Sequence, residues 1–353
     1  MPAIGGGGGA SLLEWVGAYL GRGLAEDLRV LRSIKALRRG TPFHRWVAAL
    51  DLGAAFPYCS SWLRPRIRKA LSAAASDSDG RTRASVLLPL AQIGPDVAAE
   101  RCVEALNRDP DGAVRAQAAR VLRTCGDDSA IPALREALHS DPEEQVRVSV
   151  LGTLCELGAP DILELAVGRL QLGRPLERWC AAQGLANLGR TDAVPALQTA
   201  LRAETDKLAR RFIASALGRL GEPGTQALVE VLAAAGGDAG LRRSICLGLE
   251  LSDTPLAAET LGRLLDDPDR TVRHAVPWAA TRIEGPGRRE VIRRALQHPF
   301  PGVRREALRA LAQRGRPDDR ALIEPLTADP WRSVREAAAE AVESIQRPRW
   351  HDA

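Results

Sequence analysis

The stretch DGAVRAQAARVLRTCG, Asp111 to Gly126, decides the fold, because variants of it recur every 31 or 32 residues along most of the chain. The arginine in the position of Arg115 returns as Arg83, Arg147, Arg178, Arg210, Arg242, Arg273, Arg304 and Arg335, which defines nine units. Seven residues after this ladder arginine stands an apolar side chain such as Leu90, Leu122 or Leu154, and three and four after it stand small or branched ones such as Ala118 and Ala119. That spacing marks one face of a helix. Eleven residues after most of these arginines comes a glycine (Gly94, Gly126, Gly158, Gly189, Gly221, Gly315, with Gly285 one residue late), predicted to close the helix in the left-handed conformation.

Between each glycine and the next arginine runs a second, shorter pattern. In DDSAIPALREALHSDP, Asp128 or Ser129 can cap a helix and Pro132 falls in its first turn. Each unit is therefore two antiparallel helices. Neither helix can bury its apolar stripe alone, so neighbouring units must stack into a continuous core. The predicted class is all-α, an α-solenoid.

The order Asp-Pro-Asp, Val-Arg, Ala, Leu, Gly resembles HEAT repeats, especially the short HEAT-like repeats of the phycobilisome-lyase type, over residues 63–346. The resemblance implies a right-handed superhelix with the Val-Arg helices lining its concave side. It also implies that each ladder arginine pairs between adjacent repeats with an acid at the helix start. Four residues before the arginine stand Asp79, Asp111, Glu143, Asp206, Asp238 and Asp269. In three units the pattern lapses, at Arg174, Phe300 and Trp331, so the arginines of those units, Arg178, Arg304 and Arg335, are expected to be free for other partners.

Composition agrees with stacked small helices: aromatic residues make up 4% of the 353 residues. The 46 Arg against 3 Lys reflect a GC-rich genome as readily as a nucleic-acid partner. The formal net charge of +5 is unevenly spread: +7 over residues 1–76, −6 over 77–287, +6 over 288–320 and −2 beyond. By that count an anionic partner should prefer the ends. Six cysteines without a close pair fit a reducing, cytoplasmic location. No window approaches the apolar length of a membrane span, and the N-terminus lacks the pattern of a signal peptide.

Residues 1–10, with Gly5 to Gly9, are predicted to be a flexible tail. Residues 11–76 form an N-terminal helical cap, with an irregular first repeat over 42–52 ending at Gly53. In the cap, Leu12, Val16, Tyr19 and Leu20 share one helical face, and Leu24, Leu28, Leu31, Ile34 and Leu37 share another. Opposite the second stripe lie Arg29, Arg32, Lys35, Arg38 and Arg39, a solvated face that could also make peripheral contact with anionic lipid. An insertion of nine residues around Ala54 to Trp62 places Phe56, Tyr58 and Trp62 beside Arg64, Arg66 and Arg68, a second candidate surface or a cover for the open end of the stack. Residues 77–346 are regular HEAT-like repeats, and 347–353 are a C-terminal tail.

The informative column lies one residue after the ladder arginine. Five consecutive units place Trp179, Arg211, Arg243, His274 and Arg305 there. One turn on stand Gln183, Ser215, Leu247, Trp278 and Arg309, and a further turn brings Arg282. Arginine with tryptophan is the composition of interaction hot spots, and arginines hold carboxylates or phosphates bidentately. An ordinary exposed face is the competing reading. Pro277 is expected to bend its helix, and the basic run from Arg288 to Arg294 reads as a solvated face.

Catalytic constellations are absent from the sequence. The five histidines carry no HExxH motif, and the His-Glu pairs that hold iron in HEAT-like deoxyhypusine hydroxylases do not occur. Glu250 and Asp253 are the nearest candidates for the lone groove acid of HEAT-like alkylpurine DNA glycosylases. No catalytic residue, metal or cofactor is predicted. The favoured function is a non-enzymatic protein-interaction scaffold or adaptor whose concave band grips an acidic segment. The alternatives are a nucleic-acid backbone binder and an accessory subunit of a lyase or other enzyme.

Overall fold

The computed structural model describes residues 12–125, 128–284 and 286–346. The expectations for residues 1–10 and 347–353, Gly126 and Gly285 lie outside the described residues, as do the side chains of Leu12, Val16, Tyr19, Leu20 and Leu24. Among the described residues there are twenty α-helices, five short 3-10 helices and no strand. The chain divides into two compact units, Met1–Ala159 and Pro160–Ala353.

In the first unit α1 (Leu12–Arg39), α3 (Arg64–Ala74), α5 (Pro95–Arg108) and α7 (Ile131–Ser140) form one layer. The Val-Arg helices α2 (Pro42–Ala55), α4 (Gly80–Ile93), α6 (Gly112–Cys125) and α8 (Glu144–Leu157) form the other. The second unit repeats the plan. Its first layer holds α9 (Ile162–Leu172), α11 (Val194–Ala203), α13 (Gly221–Ala234), α15 (Pro255–Leu264), α17 (Pro286–Leu296) and the single turn α19 (Arg320–Ile323). Its second layer holds α10 (Pro175–Asn187), α12 (Lys207–Arg219), α14 (Ala239–Leu249), α16 (Arg270–Ala280), α18 (Pro301–Arg314) and α20 (Arg332–Gln346). This is the construction of an α-solenoid. From Arg83 to Arg304 the positions three, four and seven after the ladder arginine form the core, as in Ala118, Ala119 and Leu122, all buried.

The ladder exists, but its main acid is not the predicted one; of the predicted acids, Glu143 is a second partner of Arg115 at 3.3 Å and Asp238 pairs with Arg210. Arg83, Arg115, Arg178, Arg242 and Arg304 each grip a carboxylate of the next repeat through two nitrogens at 2.6–3.1 Å: Asp109, Asp141, Glu204, Asp267 and Asp329. These acids precede the next ladder arginine by six residues, not four. The same carboxylate accepts the backbone N–H two residues on, as in Asp109 to Asp111 and Asp267 to Asp269. One side chain thus closes the interhelix turn and ties two repeats. The acid four before the arginine mostly caps its own helix instead: Asp79 accepts from Thr82 N–H and Asp206 from Leu208 and Ala209 N–H. Consequently Arg178 and Arg304 are not free. Arg335, in the last repeat, donates to the Asp329 and Pro330 carbonyls.

Three rungs depart from the rule, the first at Arg147, where Leu172 stands in the acid's place. Where Gly236 occupies the acid's place, Arg210 turns to the half-exposed Asp238 at 3.1 Å. Where His298 occupies it, the Arg273 guanidinium lies 4.7 Å from the Phe300 ring centroid. A further rung precedes the nine read from sequence: Arg45 of α2 pairs with Asp77 at 2.9 Å.

Other expectations change too. Gly158, Gly189 and Gly221 take positive φ of 65–69°, but Gly94 is extended and Gly315 is not left-handed. At Gly315 glycine is needed for space, since a Cβ would come within 2.5 Å of the Leu311 carbonyl and 2.8 Å of Ile345. Residues 12–39 make one helix, whose buried stripe is Val30, Ile34 and Leu37; Leu28 and Leu31 are exposed, and Arg29 reaches Asp51 of α2. Both α4 and α16 run through an internal proline, Pro89 and Pro277. Arg288 is buried and makes two bonds of 3.0 and 2.7 Å to Asp319, so that basic run is not wholly a solvated face.

Candidate partner-binding groove

Helices α12, α14 and α16 of the second unit present their outer faces side by side, and a groove of about 900 Å³ runs across them to Glu306 of α18. Of the predicted band, Arg211, Arg243, Leu247, His274 and Trp278 line it together. Arg211 and Arg243 are exposed, and among the described residues no ion pair holds either of them. Lys207 and Arg270 join the wall. They stand three residues before Arg210 and Arg273, one helical turn from Arg211 and His274 on the same face. Sequence reasoning followed the column only toward the C-terminus; one turn the other way finds both.

The groove's acids are few and engaged. Asp238 caps Leu241 N–H and pairs with Arg210. Glu306 faces three donors, Trp278 Nε1 at 3.4 Å, Arg305 at 3.4 Å and Arg309 at 3.0 Å. That leaves Lys207, Arg211, Arg243 and Arg270 as surplus cations around a floor of Leu247 and Trp278. His274 is not a fifth. Burial is the main cause holding its imidazole below the usual range, Arg270, Arg305 and Arg273 add to the effect, and Glu306 opposes it.

The remaining band residues do not meet there. Trp179 packs on Phe212 with ring centroids 4.5 Å apart, and its Nε1 has no hydrogen-bond partner among the described residues. Gln183 donates to Asn187, and Ser215 is half-buried. Arg282 crosses to the buried Glu250 at 2.5 Å, which neutralises the first of the two candidate groove acids. Asp253 accepts the Glu284 backbone N–H at 3.2 Å. In the aromatic loop of the first unit, Tyr58 and Trp62 are exposed, the Arg66 guanidinium lies 4.9 Å from the Trp62 ring, and Arg64 covers the half-buried Phe56.

Net charge by segment had pointed away from this groove. Several acids of residues 77–287 are taken up by rungs and caps, while most arginines of 288–320 are paired, among them Arg293 with Glu290, Arg294 with Asp266, Arg316 with Glu284 and Arg320 with Glu324. Four cations without an ion pair among the described residues therefore meet in this groove, although its segment is nominally acidic.

The model of HEAT repeats matches residues 99–175, 169–239 and 286–343, more than half of the chain. The chain belongs to the HEAT-repeat family, and nothing in that match singles out the phycobilisome-lyase type. No curated protein matches the sequence. Among solved structures, Kap95p, from work on its binding to RanGDP, superposes with a TM-score of 0.58 at 11% identity, covering 94% of this chain and 58% of that one. The karyopherin Kap121p bound to the extreme C-terminus of the protein phosphatase Cdc14p gives 0.53 at 14% identity, covering 90% and 41%. The chain thus spans about half the length of these karyopherins. Human deoxyhypusine hydroxylase, at TM-score 0.32 and 20% identity over 73% of this chain and 99% of that one, is similar only in outline. The fold is of the protein-interaction scaffold kind. No helix among the described residues is long and apolar enough to cross a membrane.

Proposed function

We propose that the chain is a non-enzymatic scaffold or adaptor that holds an acidic segment of a protein partner in the groove of α12, α14 and α16. One observation carries the reading: Arg211 and Arg243, exposed and without ion pairs among the described residues, flank an apolar floor in a groove with cations to spare. Each guanidinium can take a carboxylate through two parallel bonds. An aliphatic or aromatic side chain between the two acids would rest on Leu247 and Trp278. The groove supplies binding groups and no paired acid and base poised for proton transfer. The Kap121p complex, with the tail of its partner bound, illustrates the kind of ligand such a stack can hold; the likeness itself carries only the fold.

The test is affinity capture from the native lysate with the wild-type chain and with Arg211→Ala/Arg243→Ala, each with and without nuclease. A stoichiometric protein carrying an Asp/Glu-rich segment should survive nuclease and be lost from the variant. Loss of all captured material on nuclease treatment would put a phosphate backbone in the groove instead. Equal capture by both chains would show that the groove is not the site.

A further inference from the structure

The column that is basic in the second unit is apolar in the first. One residue after the ladder position stand Trp46, Ala84, Ala116 and Val148, and one turn on stand Leu50 and Leu88. Helices α2, α4 and α6 leave a groove of about 500 Å³ lined by Trp46, Leu50, Ala84 and Leu88. Trp46 is 40% exposed, Leu50 45% and Leu88 37%, and Phe43 and Val47 extend the surface along α2. Five large apolar side chains held open on two adjacent helices are more than the scattered exposure of an ordinary surface.

The charges beside this groove have one sign to spare. Arg81 lines it and, among the described residues, makes no ion pair, although its charge helps to lower the capping Asp79 carboxyl. Arg120 stands one turn beyond Ala116 in the same column, and among the described residues only neutral groups hold its guanidinium. Gln117, itself in the groove wall, accepts at 2.8 and 3.2 Å, and the Ser149 hydroxyl lies at 3.3 Å. Asp111 is the one acid in the lining, and it already accepts the Ala113 N–H.

We infer that this face is a second docking surface, chemically distinct from the basic groove, and that its occupant is an amphipathic helix of a partner protein. The helix lays an apolar stripe on Trp46, Leu50 and Leu88, and carboxylates along its edge meet Arg81 and Arg120. Helix-in-groove recognition needs this pairing: a trough for residues spaced three, four and seven apart, with edge charges that fix orientation.

The probes are two labelled synthetic helical peptides with the same leucine stripe, one edged by Glu and one by Lys, titrated against the full chain by fluorescence anisotropy. The Glu-edged peptide should bind saturably and the Lys-edged one about tenfold or more weaker. Leu50→Glu and Leu88→Glu should each weaken the Glu-edged peptide by about tenfold or more. Both side chains are more than half covered, so these variants can also lower thermal melting; the exposed Arg81→Glu separates lost binding from lost stability. Arg81→Glu should reverse the preference between the two peptides. Because a Glu-edged apolar probe also suits the other groove, the titrations are repeated with the Arg211→Ala/Arg243→Ala chain, where saturable binding that depends on Leu50 and Leu88 should persist, which separates the proposal from the function assigned to that groove. Three results would overturn it: equal affinity for both peptides, indifference to the Leu50 and Leu88 variants, or binding only after deletion of residues 1–11, which would assign the surface to the chain's own N-terminus. Concentration-dependent self-association abolished by Leu50→Glu would give the surface to a second copy and overturn it equally.

Discussion

Replacing Asp267 by Ala is the sharpest test of how the repeats hold together. The substitution removes both bonds to Arg242, 2.7 and 3.0 Å, and the turn bond from Asp269 N–H, 2.8 Å. The Arg242 side chain is 11% exposed and the Asp267 side chain 4%. The guanidinium would keep the Gly236 carbonyl and little water. Hydrogen bonds to charged groups are worth about 1.5–3 kcal/mol each, and stranding one member of a buried pair costs about 3–5 kcal/mol. The retained carbonyl moderates this, so a loss of about 3–4 kcal/mol is expected. Asp238→Ala is the internal comparison. Its carboxylate is 44% exposed, so the ion pair with Arg210 contributes at most about 1 kcal/mol and the cap on Leu241 N–H about 1 kcal/mol more. A repeat stack does not unfold as a single unit, so the assay is native-state hydrogen exchange at the amides of α14 and α16. Asp267→Ala should cut protection there by about a hundredfold or more, and Asp238→Ala by about tenfold. Equal effects, or a cost for Asp267→Ala near 1 kcal/mol, would mean that the rungs are surface pairs and would refute this reasoning.

Acid should dismantle the ladder from the carboxylate side. Burial alone would raise Asp109, Glu204 and Asp319, but bonds from Arg83, Arg178 and Arg288 and from backbone N–H groups hold them below the usual range; at Asp329 the Arg304 bond dominates and lowers it likewise. The unfolded chain then binds more protons below about pH 4, so this stability is full above that pH and calorimetric melting temperatures should fall steeply beneath it. His298 is lowered chiefly by burial, so its share is present above about pH 6.5 and lost as pH falls through its lower folded value. His298→Asp should remove that component, give Arg273 the acid its rung lacks, and raise the melting temperature at mildly acidic pH. Gly218→Ala places a Cβ 2.0 Å from the Gly248 carbonyl, so α12 and α14 must separate, at a cost of about 1–3 kcal/mol or more in urea unfolding. Thiol titration should find Cys246 and Cys102 inert, since burial raises both, Cys102 to about 12. The half-exposed Cys125 and Cys180 should react first.

The helix pairs were legible in the sequence because burial imposes its period directly: a position three, four or seven after the arginine that is not small or apolar cannot sit in the core. The identity of the ladder acid was not, because two acids two residues apart, such as Asp267 and Asp269, are equivalent by composition and differ only in where the turn aims them. The first points back at the preceding repeat's arginine, and the second points at the N–H groups of its own helix. The same limit affected the band. Periodicity put Arg211, Arg243 and Arg282 on one face, yet Arg282 is tied to Glu250 across the stack and the other two are not. Pairing between repeats depends on side-chain reach, which the spacing of one helix does not encode.

The irregular rungs and the basic groove are linked by that pairing. In most regular repeats the acid before the turn takes the preceding ladder arginine and leaves the cap acid with its own helix, Glu143 beside Arg115 being the exception. Gly236 removes the first acid, so Asp238 must serve both Leu241 N–H and Arg210. A carboxylate so divided satisfies Arg210 and leaves nothing for Lys207 or Arg211, one turn and one residue away. In the Arg273 rung His298 replaces the acid, the arginine stacks on Phe300 instead, and no carboxylate is added near Arg270 or His274. The groove lies between these two missing acids. Its surplus positive charge thus follows from two lost rungs as much as from added arginines, and restoring acids at positions 236 and 298 should weaken binding of an acidic segment without touching any residue that contacts it.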